Sequence, residues 1–203
     1  MKRFFILFSL IAVVSCRKNS LNDEGKKEPS VFFTFEAQRE QMKNQENPDD
    51  IPLPPAIDQH YSIHNFLVDS VGGLYYYHYN EPMHSGCGTG LTEDSYPAQF
   101  ISLKPELLFK IPSTEVERFI KRKVLTDTVS GNLKFITVGS EKDTFDSFDF
   151  LRAFHCFDNE TNRVIRRITQ EESEVLNHKK RNIPYDYHQI KWNSTRITFK
   201  KHN

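Results

Sequence analysis

Residues 60–79 read HYSIHNFLVDSVGGLYYYHY, and this stretch decides the fold. From His60 to Val71 side chains alternate. Tyr61, Ile63, Asn65 and Leu67 fall on one face, and His64, Phe66 and Val68 on the other. A period of two is the signature of a strand. Leu74 to Tyr79 is a second β-prone run, and Gly72-Gly73 lies between the two. Two such runs around a Gly-Gly pair predict an antiparallel hairpin. One face of this hairpin points outward unless helices cover both. Tyr75, Tyr77 and Tyr79 are therefore the candidate binding surface, because tyrosine offers large contact area at low entropy cost.

Working downstream, Phe100 to Leu103 and Leu107 to Ile111 read as strands separated by Lys104-Pro105. Thr114 and Glu117 match a capping box and open a helix whose Val116, Phe119, Ile120 and Val124 share a face. Ser130-Gly131-Asn132 is a turn and Leu133 to Val138 a strand. Asp143 to Phe157 reads as a second helix, with Phe148, Leu151, Phe154 and His155 near one face. Val164 to Ile168 is a strand. Thr169 and Glu172 form another capping box, which opens a third helix ending at Lys179-Lys180-Arg181, where cations suit the negative end of the dipole. Residues 188–200 supply one or two closing strands. Strands and helices mix without strict alternation. This predicts an α+β fold, a largely antiparallel sheet with about three helices.

The chain has 203 residues, a formal net charge of zero and 27% charged residues, so a strongly basic nucleic-acid binder is excluded as the default. Its hydrophobic fraction is 37%, but 17 Phe and 8 Tyr supply large buried areas for a core. Upstream of the hairpin, residues 17–30 are polar and charged, and after a brief apolar patch at Val31 to Phe35 the polar run to Asp50 continues as a short helix. Asn47-Pro48-Asp49-Asp50 is a breaker, and Ile51-Pro52-Leu53-Pro54-Pro55 reads as a polyproline-like segment. Residues 16–54 are thus expected to be a disordered tether, and 55–203 a single globular domain. About 150 residues bury roughly 68–70% of the surface of the unfolded chain.

The first sixteen residues carry a separate signal. Lys2 and Arg3 precede an apolar run, Phe4 to Val14, which contains one serine and no charge. It is shorter than the roughly 20 residues that span a bilayer and suits a signal-peptide core. The run meets Val13-Val14-Ser15-Cys16. This resembles the lipobox of bacterial lipoproteins, in which a small residue precedes a cysteine that is lipidated and becomes the first residue of the mature chain. Val13 stands where the family favours leucine. The resemblance covers these sixteen residues and implies nothing about the rest. It implies a cleaved signal peptide at 1–15, lipidation of Cys16 and membrane attachment through that anchor. Arg17 follows the cysteine in place of the aspartate that marks inner-membrane retention, which implies the outer membrane. Arg17-Lys18 precede Asp23-Glu24, which points to the periplasmic side.

After lipidation Cys87 and Cys156 remain. In an oxidising compartment they form a candidate disulfide closing a loop of about 70 residues, and two unpaired thiols are the alternative. His84-x-x-Cys87 and His155-Cys156 hold zinc-type ligands without the paired short spacings of zinc sites, so no metal and no cofactor is assigned. In His84-Ser85-Gly86-Cys87-Gly88-Thr89-Gly90 the glycines expose backbone N–H groups beside a thiol. No Gly-Lys-Ser/Thr follows, the spacing is not G-x-S-x-G, and nothing selects an orienting acid. No catalytic residue is assigned, and the chain is not expected to be an enzyme. The expectation is a membrane-anchored lipoprotein of the bacterial envelope whose domain is a non-catalytic binding or structural module with a protein partner. The alternatives are an immunity-type protein that binds a toxin in the envelope, and an envelope hydrolase using the His84–Thr89 loop.

Overall fold

The computed structural model describes residues 32–44, 61–81, 97–127, 134–145 and 161–199. Along the chain these form β1 (Phe32–Phe33), α1 (Phe35–Lys43), β2 (His64–Val68), β3 (Leu74–His78), β4 (Ala98–Gln99) and β5 (Phe109–Ile111). There follow α2 (Val116–Phe119), β6 (Lys134–Ser140), β7 (Thr144–Phe145), β8 (Thr161–Arg167), α3 (Gln170–Arg181) and β9 (Ile197–Thr198).

The predicted hairpin is present. β2 and β3 pair antiparallel from His64↔His78 to Val68↔Leu74. Its turn is closed by Asp69, whose carboxylate accepts from the N–H groups of Val71 (3.0 Å) and Gly73 (2.6 Å). Gly72 takes φ +85°, which favours glycine.

Five strands form one sheet in the order β5-β3-β2-β6-β8. β3–β5 is antiparallel, whereas β2–β6 and β6–β8 are parallel. The fold is α+β with three α-helices among the described residues, and the sheet is mixed rather than largely antiparallel. Parallel partners need long crossovers. The crossover from β2 to β6 carries the hairpin return, β5 and α2, and this link is invisible in local sequence pattern.

Helices cover both faces of the hairpin. On one face Phe66, Val68, Leu74, Tyr76, Ile136 and Val138 pack against Val116, Ile120 and Val124. On the other, Leu67, Tyr75 and Tyr77 pack against Leu103, Leu108 and the Val175 and Leu176 of α3. Each fully buried aliphatic or aromatic side chain contributes about 1.5–3 kcal/mol, so apolar burial holds these layers together.

Several local expectations change. Residues Ser113–Glu115 form a 3-10 turn, α2 has no side-chain cap, and the helix continues as a π-turn over Ile120–Val124. The Thr114–Glu117 box is not made. Burial of Val116, Ile120 and Val124 decides the helix instead. Phe100 to Leu103 is not a strand, because Ser102 takes φ 59° and the N–H groups of Ile101 and Leu103 go to Glu171. Pro105–Leu107 is a 3-10 turn, so the next strand starts only at Phe109. Asp143 does not begin a helix: Thr144–Phe145 is a strand paired with β1, and residues 146–157 lie outside the described residues. At the C-terminal end the expected closing strand is present: among the described residues it is Ile197–Thr198, parallel to β4.

Residues 32–44 also correct the assignment of 16–54 to a tether and the domain start at 55. β1 pairs antiparallel with β7, Phe32↔Phe145 and Phe33↔Thr144. Thr34 caps α1 by accepting from Ala37 N (3.3 Å), and its own N–H donates to Asp143 O (2.8 Å). Glu36 accepts from the backbone N–H of Arg167 (2.8 Å). The polar helix that composition assigned to solvent is held by a cation presented by β8.

Candidate functional site

Tyr75 and Tyr77 are buried and Tyr79 is half-buried, so they form no binding surface. The reason is the covered face: α3 and the 103–108 segment lie over them. Tyr77 points its hydroxyl into a dry network and donates to Glu172 Oε1 (2.6 Å). Arg166 donates two bonds to Glu172, at 2.7 and 2.8 Å, and its guanidinium lies 5.2 Å from the Tyr61 ring centroid. Here the predicted Thr169–Glu172 capping box is made: Glu172 N donates to Thr169 Oγ1 (3.2 Å) and Thr169 N to Glu172 Oε2 (2.8 Å).

Burial opposes both charges, and the pair overcomes it. Glu172 is held below the usual carboxylate range by Arg166, and Arg166 is raised by Glu172. Burial, with Glu172 beside it, keeps the Tyr77 phenol protonated. Next door Glu171 is pushed up to about 8 by burial, although Ile101 N (2.7 Å) and Leu103 N (2.6 Å) donate to its carboxylate. This network fixes α3 on the sheet. Its residues are inaccessible and serve the fold.

At the other end of the hairpin His64 and His78 stand opposite each other, with ring centroids 5.6 Å apart. Both point Nε2 at Asp127 Oδ2, at 3.3 and 3.8 Å, and His64 Nδ1 bonds the Tyr76 hydroxyl at 2.9 Å. Burial, then Asp127, raises Tyr76, so the phenol stays neutral. Among the described residues no group of three or more His, Cys, Asp or Glu is placed to hold a metal ion. The sequence contained a signal for this cluster, because the two histidines are symmetric about the turn.

An exposed aromatic platform lies at the β4–β9 pair. Phe100 N donates to Thr198 O (2.7 Å), which brings Phe100 against Phe199 (centroids 4.6 Å), Trp192 (5.3 Å) and Tyr187 (5.5 Å). Trp192 Nε1 donates to Tyr187 O (2.8 Å). The Gln170 side chain clasps the segment from α3, accepting from Asn193 N and donating to Lys191 O. Phe199 is 45% and Tyr187 39% exposed, with exposed Asp186, His188 and Asn193 along the rim. The sequence reading missed this platform, because Phe100 is distant in sequence from the other three rings, which share no period.

Cys16, Cys87, Cys156 and the His84–Thr89 loop lie outside the described residues. Within the described residues no helix is long and apolar enough to cross a membrane. No protein-family model, no curated protein and no solved structure matches the chain.

Proposed function

We propose that this chain is a lipid-anchored protein of the bacterial cell envelope, on the outer membrane facing the periplasm, whose domain is a non-catalytic module that binds a protein partner. The anchor half is supported by the order of Lys2-Arg3, the apolar run and Cys16. The binding half is carried by the platform of Phe100, Tyr187, Trp192 and Phe199: touching rings, partly exposed, inside a polar rim. Clustered aromatics ringed by polar groups are the composition of interface hot spots. An immunity-type protein is the form of this proposal in which the partner is a toxin.

The full chain is expressed in a bacterium with labelled palmitate. Label is expected in the wild type and absent from Cys16→Ala, and label retained by the variant overturns the anchor. A photo-crosslinking residue at Tyr187 is expected to give a discrete protein adduct that the same residue at Lys110 does not. Equal adducts at both positions overturn the platform.

A further inference from the structure

The β1–α1 segment is fixed to the domain differently from α3. α1 buries only Ala37, whereas α3 buries Glu171, Glu172, Val175 and Leu176. Besides the β1–β7 pairing and the two bonds from Thr34 to Asp143 (N to O, 2.8 Å; Oγ1 to Oδ1, 3.2 Å), its ties converge on one residue. Arg167 Nε and Nη2 hold Asp143 (2.6 and 2.9 Å), Nη1 holds Glu40 (2.8 Å), and the backbone N–H of Arg167 donates to Glu36. The Arg167 side chain is 40% and that of Glu40 60% exposed, so this pair is screened by solvent and salt. A two-residue strand pairing adds little by itself. Among the described residues Arg39 Nε is buried without a hydrogen-bond partner, which weighs against the docked state.

We propose that residues 32–44 are a separable strap, clipped to the sheet through Arg167, that opens while the domain stays folded. Elements with few buried apolar contacts open well below the free energy of global unfolding. Opening uncovers the outer side of β8 and the Arg167 guanidinium. It also changes the chain available upstream, a consequence that rests on the anchored function proposed above. Between Cys16 and the docked strap lie residues 17–31, fifteen residues, which span at most about 50 Å. With the strap open the count runs over residues 17–60, forty-four residues, at most about 150 Å. The clip therefore sets how far from the membrane the domain can work.

Hydrogen exchange on the full chain tests this, comparing wild type, Glu36→Ala/Glu40→Ala and Arg167→Ala. The Glu36/Glu40 variant leaves the Arg167–Asp143 pair intact, so it decides the matter even where Arg167→Ala fails to fold. Amides of residues 36–43 are expected to exchange about tenfold faster in that variant, the effect of losing charge-assisted bonds. The wild type is expected to shift the same way in about 1 M salt. Amides of 64–68 and 136–140 should be unchanged. Exchange of 36–43 only together with 64–68, in every variant and at both salt levels, overturns the strap. Loss of palmitate labelling leaves the strap standing and removes only its effect on reach.

Discussion

Arg166 at the end of β8 and Glu172 in the first turn of α3 meet through two hydrogen bonds with neither side chain exposed to solvent. Tyr77 from β3 and the backbone of Thr169 satisfy the remaining carboxylate positions. β3, distant in sequence, thus joins the consecutive β8 and α3 in one buried ionic centre.

Removing one partner leaves the other charge buried alone. Arg166→Met or Glu172→Leu is expected to destabilise the domain by about 3–5 kcal/mol. The double replacement should cost clearly less than the two singles together. Urea denaturation of the four proteins measures this. Single variants within about 1 kcal/mol of wild type are the contrary result.

Glu171 gives a pH dependence of definite sign. Its folded value of about 8 lies above its ordinary value of 4.5. The folded chain therefore keeps a proton that the unfolded chain has released. This contribution is full below about pH 4.5, falls as pH rises, and is gone above about pH 8. Glu171→Gln should flatten the decline. The urea midpoint at pH 5.5 and at pH 8, for both proteins, checks it, and equal slopes count against it.

The two candidate capping boxes should respond differently. Thr169→Ala removes a made cap and is expected to lose about 1 kcal/mol, within a range of about 0.5–2. Thr114→Ala touches no cap bond at α2 and should stay within about 0.5 kcal/mol. Thermal unfolding of both variants checks the contrast; a larger loss at Thr114 would reverse it.

Trp192 is the single tryptophan of the chain and sits on the platform, so its emission reports that surface alone. Phe199→Ala should alter the emission while shifting stability by less than about 1 kcal/mol, because the ring is half in solvent. An unfolding transition that moves by several kcal/mol would make the platform part of the core.

What the sequence revealed was local. Alternation on either side of Gly72-Gly73 announced the hairpin, and Thr169-x-x-Glu172 announced α3 with its cap. What it concealed depended on distant neighbours. Glu171 takes the N–H groups of Ile101 and Leu103 and so prevents a strand there. Arg167 recruits a polar helix from upstream. Tyr77 seemed free to face outward only while α3 had no place on the sheet. The platform gathers Phe100 with Tyr187, Trp192 and Phe199 through a two-residue parallel pairing, which no periodicity marks.

The central position of β2 also dictates an order of events. Phe66 pairs with Tyr76 ten positions later but with Val138 seventy-two positions later. The hairpin can form as soon as it is made, at small loop-closure cost. It then waits, apolar on both faces, until β6, β8 and α3 exist to cover it. Long-range parallel pairing of this kind is slow, and the uncovered interval is when the chain is most prone to stick to others. The earliest piece to take shape is thus the last to be fully sheltered, and a chain cut short before α3 would keep a hairpin whose second face lacks the cover of Val175 and Leu176.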